Sequence, residues 1–517
     1  MKNENLIFYQ IYPRSFCDTN GDGIGDIQGI IFKIDYLKNL GINAVWLSPC
    51  YPSPNKDNGY DVSDYRAISP KLGTMHDFEK MLDCFHKNGI KLIIDFVANH
   101  TSTEHKWFQE ARKSKDNPYR DYYIWHKTPP NDWKSLFGGS AWAYDEKTGE
   151  YYLHSFAKEQ ADLNWENPKV RAEMKAVIDF WVDKGVDGFR CDVLDMIAKD
   201  FKRGQNGNGK RLHEYICELF GREKTERLFT VGECWGSSPK NVRLFCAPER
   251  KELTTVFNFD HLCVENGRFT EQKPKLRTVC GRIAKWQKLT QKNGLLPTVF
   301  LENHDQPRSV SRFGDDERYR YESATLLATL VLLHRGIPFL YQGEEIGMTN
   351  SYHKHIKEFD DIETLNYYQE KAGKIPETEL LKNINFGGRD NARRMIPWNG
   401  EKTKSTKLWL ADYAYRDQVN VCKDLQSKKS VYRFYQKLIA LRKKYNCFTC
   451  GEYRLIEKNA YYLFERVDEK ETCAVLLNYE SEKKSPTIDG EVLLNNYENV
   501  GKFLQPYQVI VYKKSPR

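Results

Sequence analysis

The sequence predicts an α/β fold in which eight strands alternate with helices and close into a (β/α)₈ barrel. Short runs rich in β-branched and aromatic residues recur along the chain, and amphipathic helical segments separate them. Eight strand–helix units favour a closed barrel, with an open, doubly wound sheet as the alternative. The predicted strands are residues 7–13, 42–49, 90–100, 185–193, 227–235, 255–260, 296–305 and 336–345.

Two of the predicted helices have clear ends. One opens at Thr74 and Asp77, which have capping-box spacing, and ends at Gly89. The other begins after Asn167, which precedes a proline, and ends at Gly185. Both helices fall between predicted strands, as the alternating order requires.

Two parts of the chain interrupt this alternation. A long aromatic and polar stretch follows the third strand and predicts an inserted subdomain. Near the C-terminal end, short alternating segments predict an antiparallel β-domain. The predicted domains are the barrel at 1–100 and 167–445, the inserted domain at 101–166 and the C-terminal domain at 446–517, with a polar insertion at 350–430 inside the barrel.

Composition excludes several classes of protein. The 517 residues carry a net charge of +8, but basic and acidic residues are mixed, so neither nucleic acid nor a membrane surface is expected as a partner. The N-terminus lacks a signal-like apolar segment, and no apolar run is long enough to span a membrane. Thirteen cysteines without a zinc-type pattern predict reduced thiols. We therefore expect a cytoplasmic, monomeric protein.

Polar residues close four of the predicted strands. The active site of such a barrel lies at the carboxyl ends of its strands. Arg190 and Asp192 end the fourth strand and, being two residues apart, point to the same face. The other strand-end residues are Asn99, His100, Glu233, His304 and Asp305. Because neither a cysteine–histidine nor a serine–histidine pair stands out, these residues predict carboxylate chemistry, for which glycoside hydrolysis by two acids is the standard case.

The two central carboxylates are expected to differ in pKa. Arg190 should lower the pKa of Asp192 and keep it ionised as a nucleophile. Glu233, beside Trp235 and other acids, should have a raised pKa and stay protonated as the general acid. The alternative is that strand-end acids only cap helices or pair with lysines.

Four segments, DFVANH, GFRCDV, VGECW and FLENHD, resemble the ordered signature regions of the α-amylase superfamily, glycoside hydrolase family 13. Further segments, among them YQIYPRSF, NGYDVSDY, QADLNWENP and GRDNAR, resemble its oligo-1,6-glucosidase and α-glucosidase branch. The likeness extends from about residue 7 to 445. It implies a retaining double displacement with Asp192 as nucleophile, Glu233 as acid/base and Asp305 as a third carboxylate that orients the sugar.

The resemblance also implies a closed pocket that makes the enzyme exo-acting. Asp57 and Arg389 would clamp the non-reducing end, with Arg393 as the alternative arginine because RDNARRMIPWNG departs from the usual family pattern. The remaining residues implied to contact the glucose unit are Tyr60, His100, Phe137, Arg190 and His304.

Val193 directly follows the implied nucleophile and resembles the α-1,6-preferring members of the branch. A branched side chain beside the leaving group sets a preference of ~1–3 kcal/mol rather than an exclusion. The alternative is a packing residue without influence on specificity.

The segment DTNGDGIGD predicts a metal-binding loop. Asp18, Asn20, Asp22 and Asp26 offer side-chain oxygens and Ile24 its carbonyl, which are ligands suited to Ca²⁺ or Mg²⁺. An EF-hand is excluded, because Gly29 stands where that loop needs a glutamate and a strand precedes it. Family resemblance implies one structural ion and no organic cofactor; the alternative is an Asx-rich turn without an ion.

The leading functional prediction is an exo-α-glucosidase that releases terminal α-1,6-linked glucose from isomaltose and isomalto-oligosaccharides. One alternative is a trehalose-6-phosphate hydrolase, which shares QADLNW and FGGSAW; those enzymes usually carry lysine directly before FGG, where this chain has Leu136, with Lys134 two residues earlier. Others are an α-glucosidase that accepts sucrose or α-1,4 linkages, and a sucrose-isomerising transglycosylase. Non-catalytic transporter subunits of similar fold lack the acids and carry a membrane helix.

Overall fold

The computed structural model describes residues 3–263, 267–270, 272–400 and 408–515. Its strands are β1 Phe8–Ile11, β2 Ala44–Leu47, β3 Lys91–Val97, β4 His100–Ser102, β5 Trp125–His126, β6 Trp142–Asp145, β7 Glu150–Leu153, β8 Gln160–Asp162, β9 Gly188–Asp192, β10 Phe229–Glu233, β11 Thr255–Phe257, β12 Thr298–Val299, β13 Ile337–Tyr341, β14 Glu452–Glu457, β15 Tyr462–Val467, β16 Thr472–Leu477, β17 Lys483–Lys484, β18 Gly490–Asn495, β19 Phe503–Leu504 and β20 Val509–Lys514.

The α-helices are α1 Ile27–Phe32, α2 Ile34–Leu40, α3 Met75–Lys87, α4 Lys106–Ala111, α5 Pro168–Asp183, α6 Leu212–Arg227, α7 Val242–Cys246, α8 Leu276–Lys292, α9 Ser309–Phe313, α10 Arg320–Leu333, α11 Ile362–Lys371, α12 Glu377–Gly387, α13 Asp390–Arg393, α14 Val421–Gln426 and α15 Val431–Lys444. In the part of the chain that the structure describes, no helix is both long enough and apolar enough to cross a bilayer.

Eight parallel strands form a nearly closed barrel in the order β11-β10-β9-β3-β2-β1-β13-β12. Side-chain hydrogen bonds connect β11 and β12, the first and last strands in this order. Thr298 Oγ1 donates to the Val256 carbonyl (3.1 Å), and Thr255 Oγ1 donates to the Leu296 carbonyl (2.6 Å). Each predicted strand is present, although each is shorter than predicted. The predicted barrel fold is therefore confirmed.

The helix ends follow the sequence signals. Thr74 and Asp77 form a reciprocal capping box at the start of α3, and the Asn167 side chain accepts a hydrogen bond from the Lys169 amide at the start of α5. Gly89 and Gly185 follow these helices with positive φ angles of 70° and 99°, which glycine adopts without steric cost.

The interruptions contain small antiparallel sheets. After β3, the chain forms the ribbon β4–β8 and the sheet β5-β7-β6, and its last part forms the sheet β14-β15-β16-β20-β18. Both additions to the barrel are as the fold class predicts, while the domain bounds remain predictions. One detail differs: the third barrel strand ends at Val97, and His100 begins the ribbon instead of closing that strand.

Candidate active site

A cavity of about 520 Å³ opens at the carboxyl ends of the barrel strands. Most of the predicted catalytic and substrate-binding residues lie around it. The lining includes Asp57, Tyr60, His100, Phe137, Asp192, Val193, Glu233, Asp305 and Arg389. Arg190 and His304 lie behind this lining and are buried.

A single buried guanidinium joins the two central carboxylates. Arg190 Nη1 donates to Asp192 Oδ1 (2.5 Å), and Nη2 donates to Glu233 Oε2 (2.5 Å). The register of β9 and β10 pairs Cys191 with Gly232, so the acids that follow these residues lie side by side. The two carboxylates therefore meet at one end of the barrel, within the span of one arginine side chain.

The predicted lowering of the Asp192 pKa is wrong. Burial raises the pKa of this carboxyl well above its usual range, Arg190 opposes the rise, and Glu233 and Asp95 add to it. Asp95 on β3, which the sequence analysis missed, also accepts a hydrogen bond from Arg190 Nη1 (2.6 Å). Asp192 thus shares one guanidinium with two other buried carboxylates, and Arg190 does not offset the desolvation of Asp192.

Val193 has a strained backbone next to this pair. Its φ of 35° and ψ of 44° lie in the left-handed region, an outlier for a β-branched residue that costs of order 1–3 kcal/mol. The turn brings its amide 3.3 Å from Glu233 Oε2, to which it donates, and packs its side chain with Phe137 and Phe156. Val193 therefore forms part of the cavity wall immediately beside the two acids.

His304 is held in a stack of aromatic rings at the base of the cavity. It lies between Tyr12 and Tyr60, with centroid distances of 6.1 and 5.1 Å and interplanar angles of 11° to each. Its Nδ1 lies 2.8 Å from Gln10 Nε2, and its Nε2 lies 3.1 Å from Asp305 Oδ2. Gln10, a β1 residue that the sequence analysis did not select, thus fixes the ring edge opposite Asp305.

Asp305 is surrounded by cationic groups. It accepts hydrogen bonds from Arg393 Nη2 (2.7 Å) and Arg389 Nη1 (3.2 Å). Although burial opposes it, these two arginines and His304 hold the pKa of Asp305 well below its usual range. Both candidate arginines are therefore present, Arg389 in the cavity lining and Arg393 behind it.

Asp57 and Arg389, the residues predicted to form the clamp, contact each other. Arg389 Nη2 lies 3.4 Å from Asp57 Oδ1, and its guanidinium lies 4.7 Å from the Phe137 ring centroid. Gln160, a missed residue of the inserted region, donates to Asp57 Oδ2 (3.0 Å) and lies 3.0 Å from His100 Nε2. These side chains are buried in contact with one another at the cavity wall.

Burial raises the pKa of Asp57 from 3.8 to about 7, and Arg389 and Arg393 oppose the rise. Below this pH Asp57 loses the charge that pairs with Arg389. For the glucose unit that the family resemblance places at Asp57, we therefore expect inhibition by glucose to be about fivefold weaker at pH 5.5 than at pH 8, the effect of ~1 kcal/mol in one hydrogen bond. The inhibition constant measured across this range tests the expectation.

The raised pKa of Asp57 also makes the stability of the folded protein depend on pH, in the direction opposite to that of glucose inhibition. The pKa of Asp57 is higher in the folded protein than in the unfolded chain. Asp57 therefore stabilises the folded state fully when the pH is below its unfolded pKa, and this contribution is lost as the pH rises through about 7. Asp57→Asn should therefore melt above the wild type at pH 8 and show a flat inhibition profile. A pH-dependent profile that survives in Asp57→Asn would assign the titration to another group.

Comparison with known proteins identifies the family. Residues 10–451 match the family described as Alpha amylase, catalytic domain. The chain belongs to the α-amylase family. It is a glycoside hydrolase.

Relatives of this α-amylase-family enzyme align over nearly its full length. Oligo-1,6-glucosidase from Parageobacillus thermoglucosidasius is 46% identical, covering 99% of this chain and 98% of the relative. Glucan 1,6-alpha-glucosidase from Streptococcus pneumoniae is 42% identical, covering 94% and 93%. The crystal structure of trehalose-6-phosphate hydrolase from Bacillus licheniformis superimposes with a TM-score of 0.91 at 40% identity, covering 99% of both chains.

The open side of the cavity in this α-amylase-family enzyme carries residues that the sequence analysis did not select. Trp235 is 44% exposed, stacks on Phe259 at 3.9 Å and donates to Glu233 Oε1 (3.0 Å). Arg268 Nε lies 3.2 Å from Glu363 Oε2, and Leu136 is 58% exposed at the rim. Trp235 is the last residue of the predicted fifth strand, whereas Arg268 and Leu136 lie on loops without the periodicity that reveals strand-end residues.

The predicted metal loop precedes α1. Asp18 accepts hydrogen bonds from the amides of Gly21 (2.7 Å) and Gly23 (2.9 Å). Asn20 Oδ1 accepts a hydrogen bond from the Asp22 amide (2.8 Å), and Asp22 Oδ1 accepts one from the Ile24 amide (2.8 Å). Asp26 instead accepts from the Gly29 amide (2.6 Å) and caps α1. Among the described residues, no group of three or more His, Cys, Asp or Glu is placed to hold a metal. The side-chain oxygens of Asp18, Asn20, Asp22 and Asp26 therefore accept hydrogen bonds from nearby backbone amides, and the metal site stays a prediction.

Proposed function

We propose that this enzyme is a retaining exo-α-glucosidase that hydrolyses terminal α-1,6-linked glucose from isomaltose and isomalto-oligosaccharides. One observation carries the proposal: the two carboxylates joined by Arg190 and the buried Asp57–Arg389 pair line the same cavity, and we take the Asp57–Arg389 pair to be its closed end. A cavity closed on that side accepts one sugar unit beyond the cleavage point, so cleavage takes place at a chain end.

The proposed reaction has two displacements. The ionised form of Asp192, which accepts a hydrogen bond from Arg190, attacks the anomeric carbon while the protonated form of Glu233 gives a proton to the leaving oxygen. This step forms a covalent glucosyl-enzyme. Glu233 then takes a proton from water, and the resulting nucleophile releases glucose from Asp192. Arg190 holds both carboxylates at the mouth, and Asp305, fixed by Arg389 and Arg393, accepts hydrogen bonds from sugar hydroxyls.

The preference for α-1,6 linkages is supported by Val193 and by the relatives. The buried Val193 side chain packs with Phe137 and Phe156, and this makes the wall beside the leaving group bulky. The two relatives cited above are an oligo-1,6-glucosidase and a glucan 1,6-alpha-glucosidase.

A trehalose-6-phosphate hydrolase is the second candidate, because a solved enzyme of that name is similar over the whole chain. A phosphorylated leaving group needs cations that are free to bind it. On the open side Arg268 is paired with Glu363, Asp195 adds a carboxylate, and the rim residue Leu136 is apolar. These surroundings favour a neutral sugar.

Turnover of isomaltose, isomaltotriose, maltose, sucrose and trehalose 6-phosphate tests the proposal. We expect the first two to have the highest kcat/KM, with glucose released one unit at a time. Cleavage of trehalose 6-phosphate alone would establish the second candidate, and equal turnover of maltose would remove the linkage preference.

We also propose that the Asp18–Asp26 loop holds one Ca²⁺ or Mg²⁺ as a structural ion, with Asp18, Asn20, Asp22 and the Ile24 carbonyl as ligands and Asp26 orienting the loop. Since an ion that binds only the folded state stabilises it by ~2–3 kcal/mol when well above its Kd, EDTA should lower Tm by about 3–6 °C.

The control for this prediction is the double variant Asp18→Ala, Asp22→Ala, which should melt low with or without EDTA. A wild-type protein that contains no divalent ion by elemental analysis and keeps its Tm in EDTA would show that the loop is an ion-free turn.

A further inference from the structure

A fully buried carboxylate, Asp361, lies behind the closed end of the cavity. Its Oδ1 accepts a hydrogen bond from Arg389 Nε (2.8 Å) and lies 2.6 Å from Arg389 Nη2 and 3.4 Å from Arg393 Nη1. Its Oδ2 accepts from the amide (3.0 Å) and hydroxyl (2.8 Å) of Thr364. Although burial opposes it, the two arginines hold the pKa of Asp361 below its usual range, so the group is ionised.

The distances show which carboxylate fixes Arg389. Its contacts with Asp361 are 2.6 and 2.8 Å long, whereas those with Asp305 and Asp57 are 3.2 and 3.4 Å. Charge-assisted hydrogen bonds of N–H to a carboxylate are strongest at 2.7–2.9 Å. Asp361 therefore anchors the guanidinium of Arg389. The 3.4 Å contact leaves Asp57 free to exchange hydrogen bonds with a sugar, whereas Asp305 is also held by Arg393 (2.7 Å).

The same side chain also fixes one wall of the cavity. Asp361 is the N-cap of α11, and through Thr364 it sets the start of this helix. On α11, Glu363 lines the cavity and Asn366 Nδ2 donates to the carbonyl of Phe137 (2.8 Å). The anchored arginine and the Phe137 wall are thus held by one buried charge.

We propose that Asp361 is a positioning residue that sets the affinity of the enzyme for the terminal glucose unit by holding Arg389 and Arg393 in place. This inference rests on the proposed function. Without the charge of Asp361, the two guanidiniums would keep Asp57, Asp305 and Glu363 as acidic neighbours. They would pair with these carboxylates more closely, in competition with the sugar hydroxyls.

The test compares Asp361→Asn with the matched control Asp360→Asn, whose side chain is exposed. Substrates are p-nitrophenyl α-glucoside and its four monodeoxy forms. We expect Asp361→Asn to raise KM about tenfold with kcat within about threefold, as for a lost hydrogen bond to a charged group. Removal of the sugar hydroxyl that Asp57 and Arg389 bind should raise KM by a smaller factor in Asp361→Asn than in the wild type. Asp360→Asn should match the wild type with every substrate.

Two results would overturn the inference. One is an unchanged KM in Asp361→Asn; the other is a raised KM in which each deoxy substrate still raises KM as much as in the wild type, which would indicate only a general structural role.

If Asp361→Asn does not fold, Thr364→Val decides, because it keeps the charge of Asp361 and removes one hydrogen bond to it. A KM raised about threefold is then expected, and no change would refute the proposal. If the wild type does not cleave the glucoside, the proposed function falls, and the Kd of glucose for the same variants tests Asp361 alone.

Discussion

Asp192→Ala is expected to lower kcat on isomaltose by roughly 10⁴- to 10⁶-fold, the scale of nucleophile removal in enzymes that form covalent intermediates. Of the two other carboxylates that contact Arg190, Asp95 is fully buried outside the cavity lining and Glu233 is needed as the general acid, so neither takes the place of the missing group. Steady-state glucose release measures the loss.

Added azide gives this experiment an internal control. A small anion that fits the space left by the Asp192 side chain should attack the same face of the sugar and yield β-glucosyl azide, which shows that the variant is folded and binds substrate. Activity within tenfold of the wild type would exclude Asp192 as the nucleophile.

Glu233→Ala is expected to slow isomaltose hydrolysis about 10²- to 10⁴-fold, the contribution of a positioned general acid. The loss should depend on the leaving group, because p-nitrophenolate departs without protonation whereas a sugar alkoxide does not. The measurement is the ratio of kcat/KM for p-nitrophenyl α-glucoside to that for isomaltose, which should rise at least tenfold.

In the Glu233→Ala variant, azide should react with the glucosyl-enzyme and give α-glucosyl azide, which is the opposite anomer to the product expected from Asp192→Ala. An equal loss on both substrates, or the β anomer, would remove Glu233 from the acid/base role.

The strand-end acids could be predicted from the sequence because a barrel places the carboxyl ends of its strands at one site. Asp192 and Glu233 follow runs whose pattern is visible locally, and the register of β9 and β10 brings them together. The residues of the closed end could not be found this way. Asp57 and Arg389 came only from family resemblance, since loop residues 332 positions apart carry no local signal of their contact.

The missed residues share a physical reason. Gln160 meets Asp57 across 103 residues, and Gln10 meets His304 across 294, so their roles depend on tertiary packing rather than on periodicity. Asp361 lies in the polar stretch 350–430, where an acid before a helix is normally an exposed cap; only the fold shows that it is buried against two arginines.

Burial also explains two of the predictions that differed from the structure. The Asp192 pKa depends on how much water reaches the group and on Asp95, neither of which the local sequence indicates. The strand predicted at 296–305 is regular only at Thr298–Val299, because the buried residues Phe300 and Leu301 continue as irregular chain. An apolar run indicates burial and does not distinguish a strand from a buried loop.

The central claim is that Asp192 forms a covalent bond with glucose at a site where Glu233 completes the reaction. Incubation with 5-fluoro-α-glucosyl fluoride, followed by peptide mass spectrometry, tests it most directly. We predict one fluoroglucosyl group per chain, attached to Asp192. A label on another carboxylate, or no label from a reagent that the enzyme turns over to a product of inverted configuration, would contradict the account.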